Sequence, residues 1–170
     1  VNFYVATSML RQQMNPTNRI HGVIKSGGEA ANIIPDYSRL EFYVRALSMS
    51  ELDLIETRVL ACAEAAALAS GCQLKWTYDE NTYMNMVTNK TLSERYNDNM
   101  ASLGVTMIRE DRTAMGSLDM GNVSQVVPSI NPYFDITAGV KTPGHTVAFR
   151  EASLTPYAED SAMLTVQGLV

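Results

Sequence analysis

The chain has 170 residues, 46% of them hydrophobic and 18% charged, with a formal net charge of −5. That length suits one domain or two small units sharing a core, and an acidic balance without a Lys/Arg cluster argues against nucleic acid as a partner. No apolar run approaches the roughly 20 residues that cross a bilayer, which excludes a helical membrane span.

Residues 1–14 have helical spacing in Phe3, Ala6, Met9 or Leu10, and Gln13, ended by Asn15-Pro16. The helix starts without a cap, and Val1-Asn2-Phe3-Tyr4 offers neither a basic n-region nor a cleavage site. Val1 is therefore read as an internal residue of a longer protein. Residues 19–25 alternate as a strand, with Ile20, Gly22 and Ile24 on one face and Arg19, His21, Val23 and Lys25 on the other. After a Gly27-Gly28 loop, residues 37–46 alternate again. Leu40, Phe42, Val44 and Ala46 form the apolar face; Tyr37, Arg39, Glu41, Tyr43 and Arg45 form the polar one.

A helix over 49–70 follows, with a Ser48/Glu51 capping box and Gly71 as its C′ residue. Leu52, Ile55, Val59, Cys62, Ala63 and Ala66 make its apolar stripe. Cys72, Leu74, Trp76 and Tyr78 alternate as a further strand. One strand placed before Val1 would complete βαββαβ, a ferredoxin-like sandwich.

The second half reads as a helix over 90–102 ended by Gly104, then short strands at 105–108, 123–127 and 133–136. A loop-rich stretch runs from Met115 to Asn122, and a terminal helix runs from about Pro156 to Val170. Strands so few and short do not make an independent sheet, so they are expected to join a larger one. The fold class is α/β of the α+β kind. Cys62 and Cys72 are too few for a disulfide framework and point to buried, reduced thiols in the cytoplasm.

His145 lies in a loop between Gly144 and Thr146. Such a histidine can be a metal ligand, a general base or a solvated surface residue, and one histidine alone does not make a zinc site. His21 shares the polar face of its strand with Arg19 and Lys25. If the two strands pair, Tyr43 and Arg45 join it, and the cluster suits a carboxylate or an oxyanion; from these residues alone a solvated sheet face is the favoured reading. Asn32, opening Asn32-Ile33-Ile34-Pro35, is either a ligand contact or a turn residue. Gly116-Ser117-Leu118-Asp119-Met120-Gly121 would let backbone approach a ligand closely. It lacks the lysine of a phosphate loop. Glu110-Asp111 and Glu159-Asp160 read as solvated faces.

In order along the chain, several motifs resemble the aminoacylase/carnosinase dinuclear zinc metallopeptidases, and within them the dipeptidases. They are His21-Gly22-Val23-Ile24-Lys25-Ser26-Gly27-Gly28, Asn32-Ile33-Ile34-Pro35, Phe42-Tyr43-Val44-Arg45-Ala46, Ala65 to Cys72, Gly116 to Ser124, and His145-Thr146. The resemblance implies a ferredoxin-like lid over 1–85 that forms a homodimer, and the C-terminal part of a catalytic domain over 86–170. It implies two zinc ions, or other divalent metals, activating water against the amide bond of a dipeptide or N-acyl amino acid. His21 would assist the oxyanion in the partner subunit's site. Asn32, Arg45, Ser117 and Asp119 would contact substrate, and His145 would be the last metal ligand. The family's other ligands, which precede the lid, have no match in these residues. The chain alone is therefore expected to be inactive within an active parent enzyme; the alternative is a non-catalytic dimerisation module of the same descent.

Overall fold

The computed structural model describes residues 1–78, 81–108 and 116–170. Glu110, Asp111 and Met115, singled out in the sequence, lie outside the described residues. The elements mix helix and strand: α1 (Asn2–Arg11), β1 (Arg19–Ser26), β2 (Arg39–Arg45), α2 (Met49–Ser70), α3 (Lys90–Ser102), α4 (Met120–Ser124), α5 (Val147–Ala152) and α6 (Pro156–Leu169). They fall into two compact units. The first holds Val1–Asn85 with Gly116 and Ser117; the second holds residues 86–108 and 118–170.

In the first unit β1 and β2 pair antiparallel, with Ile20 opposite Val44, Gly22 opposite Phe42 and Ile24 opposite Leu40. Alternation therefore gathers the apolar residues of both strands on one face. Helices α1 and α2 contribute to the core there: Ile20, Ile55 and Val59 are buried, with Phe3, Leu10, Met14, Phe42, Val44 and Ala46 packed around them. Each fully buried aliphatic side chain contributes about 1.5–3 kcal/mol. The Phe42 ring lies edge-on to Phe3, centroids 4.7 Å apart, and 5.1 Å from Tyr4. It occupies the space over Gly22 that any β-carbon there would need.

The α1 residue Thr7 is fully buried, and its hydroxyl donates to the carbonyls of Phe3 and Tyr4 at 2.9 and 3.1 Å. Its polarity is thus satisfied inside its own helix. At the start of α2, Ser48 Oγ accepts from the Glu51 amide at 3.3 Å. The Glu51 carboxylate does not close the box; it accepts instead from Asn18 Nδ2 at 2.9 Å, tying the α1–β1 turn to α2. At the other end Cys72 N–H reaches Ala67 O and Gly71 N–H reaches Leu68 O, with Gly71 at φ 66°. That bond pair is a Schellman closure, and its left-handed residue favours glycine.

The strand expected over Cys72–Tyr78 does not form. The segment is exposed throughout and joins no ladder among the described residues. Alternation needs a neighbouring strand to become a sheet; beyond the Cys72 closure, the segment is tied by side chains, where Tyr78 OH donates to Glu56 Oε1 on α2 and the Trp76 and Tyr78 rings meet edge-on at 5.4 Å.

In the second unit α3 packs on α6, burying Tyr96, Met100, Ala158, Thr165 and Gly168. Gly168 brings the helices close: Met100 Sδ and the Tyr96 ring fill the place of a β-carbon, and Asn99 Nδ2 donates to Gly168 O at 3.0 Å. Gly104, at φ 80°, closes α3 with a second Schellman pair, Val105 N–H to Met100 O and Gly104 N–H to Ala101 O.

The three short strands expected here are absent. The closure at Gly104 is followed by irregular backbone over 105–108. The 123–127 run is the end of α4 and a turn, and its Val126 is 83% exposed rather than buried. Helical bonding has already begun at Asp119 O, which accepts from the Asn122 and Val123 amides, and this local ladder outcompetes the strand preference of three valines. The only pairing nearby among described residues is a single parallel bridge, Thr88 to Ser129. Residues 133–136 are diverted by a turn built on Asp135, described below. Helix α5 has no counterpart in the sequence reading.

Candidate functional site

The face of the sheet opposite the core carries the first group of candidates. The register sets Arg19 opposite Arg45 and His21 opposite Tyr43, so His21 and Arg45 are diagonal neighbours on one exposed face, a spacing of about 7–8 Å in ordinary ladders. The pairing therefore puts the histidine and arginines of the expected cluster on one face. Arg19 is partly committed, since its Nη1 donates to Asn18 O at 2.7 Å and to Pro16 O. Farther along the strands Lys25 pairs with Glu41 at 3.2 Å, and the Arg19–His21–Arg45 end carries two guanidinium groups beside the histidine's position. A planar guanidinium beside an imidazole is suited to a carboxylate or a developing oxyanion.

Asn32 stands exposed in the loop joining β1 to β2. There Ile33 N–H donates to Ala30 O at 3.1 Å, and Gly28, at φ 119°, lies against Pro35: a β-carbon would sit 2.7 Å from Pro35 Cγ. The loop folds over a shallow open cleft of about 420 Å³ lined by Gly27, Gly28, Glu29, Ala30, Ile33 and neighbouring residues. Asn32 itself is not among the residues that line it.

Ser117 is exposed in the first unit; Asp119 is exposed in the second, at the N-cap position of α4 but with no side-chain cap bond. The small-residue stretch around them is less open than expected. The Gly121 amide donates to Leu118 O at 3.0 Å, the Asn122 amide to Asp119 O at 2.9 Å, and Gly121 itself is buried. These N–H groups begin a short helix and are not offered to a ligand.

His145 is exposed and adopts φ 61°, in the left-handed region that a β-carbon disfavours. Thr146 holds it there. Its hydroxyl donates to Pro143 O at 2.8 Å and accepts from the Phe149 amide at 3.2 Å, which caps α5. Among the described residues no three His, Cys, Asp or Glu side chains gather as a metal-holding group. His145 can supply one ligand, but the described residues alone do not fit a metal pair.

The sequence reading passed over Asp135. Its Oδ1 accepts from the Thr137 amide at 2.8 Å and the Thr137 hydroxyl at 2.7 Å; its Oδ2 accepts from the Gly139 amide at 2.7 Å and from Tyr157 OH on α6 at 3.1 Å. The Thr137 hydroxyl and amide, then the Gly139 amide, hold this carboxyl at a pKa of about 2, against an ordinary 3.8. Asp-x-Thr followed by Ala-Gly is an Asx-turn signal, and the strand reading over 133–136 obscured it.

No family profile matches the chain. Individual relatives do. Over 169 residues, 98% of the chain, it is 44% identical to Xaa-Arg dipeptidase of Mus musculus and 43% identical to that of Homo sapiens. It spans only 39% and 38% of the length of those relatives. It is also 25% identical, over 131 residues, to N-acetyldiaminopimelate deacetylase of Leuconostoc mesenteroides, covering 77% of this chain and 34% of that protein. The identity runs almost end to end through both units and all six candidate residues lie within its span or beside it, so the chain belongs to the aminoacylase/carnosinase hydrolase superfamily, in the family of the Xaa-Arg dipeptidases.

Proposed function

We propose that this chain is part of a metal-dependent amide hydrolase that cleaves a dipeptide or an N-acyl amino acid. The observation that carries the reading is the 44% identity over 98% of the chain to a protein named Xaa-Arg dipeptidase, with a deacetylase, another amide hydrolase, as a more distant relative. Residues 1–85 serve as a lid of ferredoxin-like descent that dimerises; residues 86–170 belong to the catalytic domain. His21 meets the oxyanion of the partner subunit's site. Arg45, with Asn32, Ser117 and Asp119, contacts the substrate.

The exposed Arg19–His21–Arg45 end of the sheet supports this assignment, because a scissile amide gathers negative charge on its oxygen and a dipeptide ends in a carboxylate. His145 supplies one ligand to a zinc pair, and the remaining ligands come from the longer protein. When bound, such a metal pair supplies a polarised water. The part of this chain is to present substrate-facing cations and one imidazole.

The test is hydrolysis by the full-length, zinc-loaded protein across Xaa-Arg and Xaa-Lys dipeptides and N-acyl amino acids. Release of free amino acid from at least one class is expected. A zinc-loaded, folded protein that cleaves none of them overturns the reading and leaves a dimerisation module in its place.

A further inference from the structure

Between Gly139 and Tyr157 the second unit carries its one histidine on an irregular segment: Val140, Lys141, Thr142, Pro143, Gly144, His145, Thr146, then the single short helix α5. Little packs this stretch. Val140, Gly144, His145 and Val147 are all exposed. Its two ends are nevertheless joined, because one carboxylate oxygen of Asp135 accepts both the Gly139 amide, at the entry, and the Tyr157 hydroxyl, in the first turn of α6. The other oxygen binds only Thr137, inside the entry turn. Ala138 and Gly139 both hold positive φ, 52° and 78°, so the chain turns sharply around this carboxylate. All four partners are donors, and an ionised carboxylate, with acceptors only, satisfies all of them at once.

We propose that Asp135 and Tyr157 form a latch that closes the segment carrying His145 and fixes where its imidazole is presented, with Asp135 as a positioning residue. The latch is a property of the loop and holds whatever His145 binds, so it goes beyond the hydrolase reading. Joining the ends of a loop removes conformations that every residue within it would otherwise sample. His145 gains most, because its left-handed backbone is held locally only by Thr146.

The two oxygens make the test selective. Asp135→Asn keeps an oxygen for Thr137 but turns an amide NH₂ toward the Gly139 amide, a donor that cannot accept it, while the Tyr157 hydroxyl can only accept from it, so the entry turn survives and the Gly139 side of the latch opens. Tyr157→Phe removes the closing hydroxyl alone. In the full-length protein, amide hydrogen exchange over residues 139–147 is expected to speed up about five-fold in either variant, the effect of one net hydrogen bond. Exchange over α3 should stay at the wild-type rate, and the double variant should be no faster than Asp135→Asn, since both changes open one contact. The His145 ring resonance, assigned by its loss in His145→Asn, is expected to broaden in both variants. Unchanged exchange and an unchanged ring signal in Tyr157→Phe overturn the proposal, as does acceleration that extends equally to α3. Tyr157→Phe decides the matter if Asp135→Asn does not fold. Metal content enters none of these readouts, so a failure of the metal assignment for His145 leaves the result interpretable.

Discussion

Asp135 shows how much local structure one side chain can organise. Its pKa is depressed from 3.8 to about 2 by donors that favour the ionised form. A depressed folded-state value means the stabilisation is fully present above the ordinary value and is lost as pH falls through the folded one. The turn at 135–139 should therefore be intact at pH 5 and should open between about pH 4 and pH 2. A carbon-13 titration of the Asp135 carboxyl is expected to show a midpoint near 2; a midpoint at the ordinary 3.8 contradicts the bonding pattern. At Gly22, space decides the outcome. A β-carbon there meets the Phe42 ring, so Gly22→Ala should destabilise the first unit by about 1–3 kcal/mol. Combined with Phe42→Leu it should cost less than the sum of the two changes, which a denaturant double-mutant cycle measures. The His/Arg face was legible for a simple reason. Period-two alternation puts Arg19, His21, Tyr43 and Arg45 on one side of their strands, and pairing the two strands then brings them together. The local turn of Asp135 was signalled by Asp-x-Thr and was passed over for a strand; its bond to Tyr157 was not legible, because that partner is 22 residues away and only the folded chain joins them.

Elements whose partners are close in sequence were read correctly. The pair β1 and β2 are consecutive, and α2 and α3 carry their own punctuation: Ser48 and Asn89 at the caps, Gly71 and Gly104 at the closures. Sequence periodicity failed wherever a strand needed a distant neighbour. The alternation of Cys72 to Tyr78 is as regular as that of β1, yet no described strand lies beside it. The 123–127 run lost to helical bonds that start four residues earlier, at Asp119. Cap and core terms at this scale can be measured. Thr155 Oγ1 accepts from the Ala158 amide at 3.2 Å, so Thr155→Ala should cost about 1 kcal/mol of α6 stability. Ile20, 3% exposed at the centre of the core, should cost about 2–5 kcal/mol when cut to Ala. Chemical denaturation reads both, and an Ile20→Ala change below about 1 kcal/mol would mean that the sheet and helices are not held by that cluster.

At the scale of the whole molecule, the chain spans about two fifths of the length of its dipeptidase relatives, and its chemistry is proposed for the longer protein. No described helix is long and apolar enough to cross a membrane. Two features carry the proposed catalytic roles, an exposed cationic sheet face and a loop histidine in the left-handed region, and they belong to different units. The central proposal is that His21 of one copy completes the site to which His145 of another copy contributes. The most direct measurement mixes full-length His21→Ala and His145→Ala proteins, refolds them together and assays Xaa-Arg dipeptide hydrolysis. Each variant alone should be nearly inactive. The mixture should regain roughly a quarter of wild-type activity, the statistical share of intact sites among two-fold dimers. Activity that stays at the level of the separate variants, while refolded wild type recovers fully, would contradict it.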